Sequence, residues 1–408
     1  MQKLPDAFTE YTRQLMGSER YERFLQSFEE DAPVSIRLNP TKAHGMEVVD
    51  GEQVPWCEGG YYLKQRPNFT MDPLLHAGCY YVQEAASMFL DEVLRQQPTA
   101  NGQQPTANSQ QPTALDLCAA PGGKSTLLRS ALAEHWVLYS NEPIRQRANI
   151  LLENVTKWGY PNHLVTNNYP RDYRKAKMAF DLILCDVPCS GEGMFRKDPA
   201  TISEWSPQQV ERCWQLQREI VDDAWSCLND GGLLIYSTCT FNTKENEENI
   251  RYFLEQYDDM EVVPIDTKPK WNITGSLLEG FHEPVYRFIP GITRTEGLFM
   301  CVLRKKGERT TQRQRQKPML NIMNPGTGLQ TAAVQVELTY QQAIAYLRHE
   351  ALILPEDTPR GIVSVSFRGH TLGPVKNIGT RANNLYPKEW KIKTTHIPTD
   401  YEAILRHT

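Results

Sequence analysis

The chain has 408 residues, 40% of them hydrophobic and 23% charged, so it is long enough for two or three domains with cores of their own. No apolar run approaches the ~20 residues of a membrane span. The opening MQKLPDAFTEYTRQL is amphipathic, without the apolar centre of a secretory signal, and the expected compartment is the cytoplasm. Nine cysteines without a Cys-x-x-Cys pair make neither a disulfide scaffold nor a zinc site. A net charge of −5 gives no global signal for nucleic acid, so any such surface must be local.

In chain order, residues 1–75 read as two helices followed by a small strand-containing unit, with Ser35-Ile36-Arg37-Leu38-Asn39-Pro40 as one strand. Gly78–Met88 leads into a helix ending near Arg95. Residues 96–114 then spell QQPTANG, QQPTANS, QQPTA. This tandem repeat has no periodic apolar positions, cannot bury a core, and reads as a flexible surface insertion. From 114 to 306 strands alternate with helices, the pattern of a mainly parallel sheet. Strands are expected at Ala114–Leu117, Trp136–Asn141, Leu164–Asn167, Phe180–Cys185, Gly232–Ser237 and Gly297–Leu303. One helix starts at Pro143, lines Ile144, Ala148, Leu151, Leu152 and Val155 on one face, and stops at Gly159. Another is capped by Ser206 with Pro207 first and Gln209 completing a capping box. It buries Val210, Cys213, Ile220, Ala224 and Cys227, so Cys213 and Cys227 belong to the core. Residues 304–317, RKKGERTTQRQRQK, form a basic linker suited to phosphates or simply to solvent. The tail from about 331, with a helix around Gln341–Arg348, reads as a small separate module.

The strand Ala114–Leu117 runs into Cys118-Ala119-Ala120-Pro121-Gly122-Gly123-Lys124 and then a helix. Small residues and two glycines let the backbone turn tightly against a ligand, and the helix offers its unpaired N–H groups to a carboxylate. The next strand ends at Glu142, where an acidic side chain suits the ribose hydroxyls of a nucleoside cofactor. Asn168, closing the third strand, is a candidate for the adenine edge.

The fourth strand ends Asp186-Val187-Pro188-Cys189-Ser190-Gly191-Glu192-Gly193, the fifth Tyr236-Ser237-Thr238-Cys239-Thr240-Phe241. Ligand chemistry in open parallel sheets gathers at the carboxyl ends of strands, which brings two distant cysteines beside the cofactor loop. Carbon 5 of cytosine is a poor nucleophile. A thiolate added to carbon 6 makes it enamine-like, and a second base must then remove its proton to release the enzyme. Either cysteine alone would read as a small buried hydrophobe. The pair, with Asp186 and the glycine loop, points to chemistry. Asn242 and Glu245 are expected to cap a helix, NTKENEENIRYFLEQY, whose positive end favours a thiolate at Cys239.

The runs DLCAAPGGKS, DVPCSGEGMFRKDP and YSTCTFN, with GCYYVQEAASM and EGLFM-x-x-LRK, resemble those of the Sun/RsmF-type RNA 5-methylcytosine methyltransferases. The segments LPEDTPRGIVSVSF, LGPVK and RANNLYPKEWKI are similar to the PUA-like C-terminal module of the RsmF group. The resemblance implies an α/β, class I S-adenosylmethionine-dependent methyltransferase with a Rossmann-like, mostly parallel sheet. It places an N-terminal RNA-binding α+β domain at 1–75, the methyltransferase domain at 76–305, the basic linker at 306–330 and the PUA-like RNA-binding module at 331–408. It implies Cys239 as nucleophile, Cys189 as the releasing residue and Asp186 as partner of the cytosine ring. The cofactor-binding residues would be the Cys118–Lys124 loop with Glu142, Asn168 and Asp186. RNA is the implied partner, ribosomal in preference to transfer RNA, with no metal and no membrane, and a monomer is expected. A non-catalytic RNA-binding factor keeping this fold would not need both cysteines. A DNA cytosine methyltransferase would use the Pro-Cys thiol as nucleophile and would not need the Thr-Cys site.

Overall fold

Apolar side chains one helical turn apart build the first elements. In the computed structural model, which describes residues 3–97, 111–307, 320–323, 332–394 and 396–407, the helix Asp6–Met16 buries Phe8, Thr12 and Met16. The next, Ser18–Gln26, buries Tyr21 and Phe24. Gly17, at φ +73°, makes the sharp turn between them. Strands β1 (Val34–Leu38), β2 (Met46–Val48), β3 (Glu52–Gln53), β4 (Gly60–Leu63) and β5 (Tyr80–Val82) follow. All but β2 form an antiparallel sheet in the order β3-β4-β1-β5.

The central sheet contains β6 (Thr113–Asp116), β7 (Val137–Asn141), β8 (His163–Thr166), β9 (Phe180–Asp186), β10 (Leu228–Thr238), β11 (Met260–Val262), β12 (Tyr286–Phe288), β13 (Leu298–Lys305) and β14 (Ile322–Met323). Its order is β14-β8-β7-β6-β9-β10-β13-β11, with β12 also paired to β13. The strands from β8 to β10 run parallel, and β11 to β14 are antiparallel additions. Both faces are covered, so the middle of the central strands is apolar. Leu115, Ile183, Leu234 and Tyr236 pack on one face, and Ala114, Leu182, Leu184, Leu233 and Ile235 on the other. The chain leaves β6 toward β7 on one side and reaches β9 on the other, so the crevice between β6 and β9 is a topological switch point.

The tail contributes β15 (Gln335–Glu337), β16 (Gly361–Phe367), β17 (His370–Asn377) and β18 (Ala382–Asn384) as one sheet, and β19 (Leu405–His407), which pairs with β2. The sequence suggests a separate module, but its core is shared. Leu338, Ile344, Leu347, Val365, Leu372 and Leu405 pack in one cluster with Ile36, Phe69, Leu74 and Tyr80 of the N-terminal region. Asp72 sits at this seam and accepts hydrogen bonds from the Tyr80 and Tyr401 hydroxyls at 2.7 and 3.1 Å.

Three local expectations are corrected. Ile144 is 54% exposed because the helix begins at Arg145, leaving Ile144 outside it in an extended conformation. Ser206 caps its helix through Gln209 N–H at 3.2 Å, but the Gln209 amide turns to the Cys213 sulfur instead of closing the box. Asn242 and Glu245 start no helix. Asn242 Oδ1 accepts from Glu245 N–H within a turn, and the helix runs Glu247–Gln256. Most of the QQPTAN repeat and of the basic linker lies outside the described residues.

Candidate functional site

β6 delivers the chain to the glycine-rich loop at the switch point. Gly122, at φ +118°, precedes the helix Gly123–Ala131, and no side chain caps that helix. Its first N–H groups therefore remain available to an anionic ligand. A Cβ on Gly123 would stand 3.3 Å from the Tyr81 ring, so a side chain there would require Tyr81 to give way. Beneath the loop, Asp116 is fully buried. Its Oδ2 accepts from the Ser125 hydroxyl at 2.5 Å, its Oδ1 has no partner, and burial pushes its pKa up to about 7. Buried Arg37 donates to Gln83, to Thr126 and to the Gly123 carbonyl, fastening the N-terminal sheet to the loop's helix.

Glu142 follows β7 and is 1% exposed. One carboxylate oxygen accepts from Ile144 N–H at 2.9 Å, and the other lies 3.3 Å from Arg147. If it also holds two ribose hydroxyls, Glu142→Ala should weaken S-adenosylmethionine binding by ~1–3 kcal/mol. Loss of the bond to Ile144 should cost a further ~1 kcal/mol of fold stability. Calorimetry showing unchanged affinity would remove Glu142 from the site. Asn168 lies at the end of β8, but its amide is already engaged by the main chain of Asn321.

β9 and β10 are neighbouring parallel strands in which Asp186 pairs with Ser237. The chain segments leaving them set the sulfurs of Cys189 and Cys239 3.2 Å apart. Cys239 N–H also donates to the Cys189 sulfur at 3.4 Å. Cys185, by contrast, is wholly buried within β9. The Cys189 thiol is held well above its ordinary pKa, first by its hydrogen bond to Cys239, then by burial and by the charge on Cys239. Asp186 accepts from Ser237 at 2.6 Å and from Lys124 at 2.8 Å. Burial opposes the Lys124 ammonium, but Asp186 outweighs it and Cys239 adds to the effect, so its pKa is raised. The Lys124–Asp186 ion pair thus joins the glycine loop to the cysteines.

Two glutamates build the frame: Glu192, which sequence reasoning left without a role, and Glu245, which it assigned only to a helix cap. Glu192 accepts from the N–H groups of Phe241 and Asn242 at 2.7 and 3.0 Å, and from the Asn242 amide and Trp205. Glu245 accepts from Ser190 N–H, Gln217 and Asn242. Together they bind the Cys189 loop to the turn after Cys239. The Asn242–Glu245 turn replaces the expected helix N-terminus.

Burial, followed by the charge of Glu192, raises the Glu245 pKa to about 7 against an ordinary 4.5. A raised carboxylate pKa favours the folded state while the group is protonated. That contribution is complete below pH ~4.5 and is lost as pH rises through ~7. Glu245→Gln should therefore lose less stability than the parent between pH 5 and pH 8, by on the order of 1–3 kcal/mol. Denaturant unfolding at both pH values reads this, and equal losses would contradict it.

Among the described residues no helix is long and apolar enough to cross a membrane, and no cluster of His, Cys, Asp and Glu is arranged to hold a metal ion.

Residues 104–304 match the family of 16S rRNA methyltransferase RsmB/F, residues 4–85 the N-terminal domain of 16S rRNA methyltransferase RsmF, and residues 333–392 the methyltransferase RsmF PUA domain. Ribosomal RNA small subunit methyltransferase F of Aliivibrio fischeri is 30% identical over 84% of this chain and 73% of its own length. The protein of the same name from Shigella flexneri is 34% identical over 74% of this chain and 63% of its own length. The solved structure of a methyltransferase homolog protein from Pyrococcus horikoshii superposes with a TM-score of 0.60 at 26% identity, covering 74% of this chain and 95% of that one. A switch-point glycine loop, two thiols in contact at neighbouring strand ends and all three matched segments place the chain in the RsmB/F family of 16S rRNA methyltransferases, as a member of the RsmF type.

Proposed function

We propose that this protein transfers a methyl group from S-adenosylmethionine to carbon 5 of a cytosine in small-subunit ribosomal RNA, through a transient bond between Cys239 and carbon 6. The observation that carries this reading is the contact of Cys189 and Cys239 beside the Asp186–Lys124 pair. The residues present fit the cofactor: an uncapped helix N-terminus for its carboxylate, a buried carboxylate in Glu142 for its ribose, and a loop where added Cβ atoms would crowd Tyr81 and Leu151. When bound, the cofactor supplies an electrophilic methyl group.

The protein's own groups do the rest. Cys239, as the thiolate, adds to carbon 6. Asp186 would hydrogen-bond the amino edge of the cytosine, and the Lys124 ammonium beside it would steady the negative charge that thiolate addition puts into the ring. Carbon 5, now enamine-like, takes the methyl group. Cys189, whose sulfur lies 3.2 Å from that of Cys239, then serves as the base that removes the carbon 5 proton. Elimination of Cys239 restores the ring and frees the product.

RNA has a route to this site. A groove of about 970 Å³ runs between Ser27–Val34 and Leu63–Arg66 on one side and Lys197 and Gly291–Thr295 on the other. Lys64, Arg66, Lys197 and Arg294 are exposed along it, suited to phosphates. Gly193, four residues before Lys197, donates its N–H to the Cys239 carbonyl at 2.7 Å, which supports a path from this groove toward the cysteines. Carbon 6 is shielded in a duplex, so the target cytosine is single-stranded or is pulled from its stack. A ribosomal RNA substrate supports a cytoplasmic location, and a monomer is the state this reading expects.

The test uses purified protein, S-adenosylmethionine, and small ribosomal subunits or their naked RNA from cells lacking the gene. Bisulfite sequencing should find a newly protected cytosine in one of the two substrates. Full conversion of every cytosine in both would end the proposal.

A further inference from the structure

β14 belongs to the linker in sequence but to the methyltransferase domain in space. Ile322 and Met323 pair antiparallel with Thr166 and Val165 on the outer edge of β8. Covering an exposed edge strand needs only such main-chain pairing. Here the contacts go further. Asn167 N–H donates to the Asn321 carbonyl at 3.0 Å. Asn321 N–H donates to Asn168 Oδ1 at 3.0 Å, and Asn168 Nδ2 donates back to the Asn321 carbonyl at 3.3 Å. Met323, 6% exposed, packs with Ala119 of the glycine loop and with Leu151 and Val155 of the following helix.

These contacts converge on the cofactor cradle. The Asn167 amide donates to the carbonyls of Glu142 and Pro143 at 2.7 and 2.9 Å. The Asn141 amide donates to the carbonyls of Leu117 and Asn168, and its oxygen accepts from Asn168 N–H at 3.0 Å. One asparagine network therefore connects the ends of β6, β7 and β8, and Asn321 is its outermost member. The paired edge of the Asn168 amide, which could otherwise read two atoms of a base at once, is taken by one main-chain N–H and C=O. The Asn168 side chain also hydrogen-bonds Tyr173, so its orientation is fixed and the capacity left for a ligand is a lone pair on Oδ1.

We infer that Leu320–Met323 is part of the cofactor site, and that Asn321 acts as a positioning residue that orients Asn168 against the nucleoside end of the ligand. This rests on the proposed reading of the Glu142–Asn168 side as the nucleoside cradle. The energetic case is that an amide left free to rotate must be ordered on binding, whereas one already held by two hydrogen bonds is not.

The experiment measures binding of S-adenosylhomocysteine to the full-length protein by calorimetry. Asn321→Pro removes the N–H that Asn168 accepts. It should raise the dissociation constant ~5–20-fold, with kcat at saturating cofactor and KM for RNA unchanged. In an Asn168→Ala background the same substitution should add less than about twofold, because its effect runs through Asn168. Met323→Ala, which keeps every main-chain bond, serves if the proline variant does not fold, and should weaken binding less than Asn321→Pro but measurably. Unchanged affinity in these variants, or equal effects with and without Asn168, overturns the inference. Failure of the unaltered protein to bind S-adenosylhomocysteine at all would instead overturn the cofactor reading on which it rests.

Discussion

After incubation with RNA and S-adenosylmethionine, the Cys189→Ala protein should migrate on a denaturing gel as a retarded protein–RNA complex, and Cys239→Ala should show neither adduct nor product. The two sulfurs are 3.2 Å apart, so the difference comes from role and not from location. Without Cys239 there is no thiolate to add to carbon 6, and methylation should fall by at least ~10⁴-fold. Without Cys189 addition and methyl transfer still proceed. The carbon 5 proton then has no base, elimination stalls, and the covalent complex accumulates. Alanine at either position leaves the frame of Glu192 and Glu245 intact, because those carboxylates bind main-chain N–H groups beside the cysteines and not the sulfurs. An adduct from Cys239→Ala and none from Cys189→Ala would reverse the assignment.

Removing the Asp186 carboxylate should lower kcat by roughly 10²–10³-fold and change cofactor affinity far less. Asp186 is held by Ser237 and Lys124 at 2.6 and 2.8 Å, a rigid arrangement that costs little reorganisation when charge develops in the ring. Asp186→Asn keeps the shape but presents an amide where Lys124 expects an anion, and should be almost as inactive as Asp186→Ala. The measurement is single-turnover methylation at saturating cofactor. A kcat within threefold of the parent would remove Asp186 from the reacting centre.

The sequence exposes some layers of this molecule and hides others, for physical reasons. β6, β9 and β10 are short apolar runs ending in glycine, proline or cysteine, so both the strands and their carboxyl ends can be read, and the cysteine pair follows from the sheet. Glu192 and Glu245 cannot be read this way. Their role depends on which main-chain N–H groups come within reach after folding, and nothing in the spacing of two glutamates among many marks that. The Asn242-x-x-Glu245 pattern is a real turn signal, yet a turn and a helix start share it. β14 is two residues in a linker with no alternation to announce a strand, so Asn321 is visible only in three dimensions. Asn168 is legible as a strand-end residue, but its engagement by that linker is not.

The shared core of the two end regions has a consequence for how the chain is made. β2 and β19 lie at opposite ends of the sequence, and Leu405 is wholly buried among residues such as Ile36, Leu74 and Tyr80. Contacts so distant in sequence form late, because the loop must close before they contribute. At a synthesis rate of roughly 5–20 residues per second, the face around Tyr80 waits ~15–65 s for Leu405 to be added. The central sheet, from β6 to β13, needs nothing from the tail except β14 and can form while the ribosome is still working. The earliest segment made is thus among the last to finish folding, and the nascent chain carries an uncovered apolar surface throughout that wait, the kind of surface on which chaperones act and from which aggregation begins.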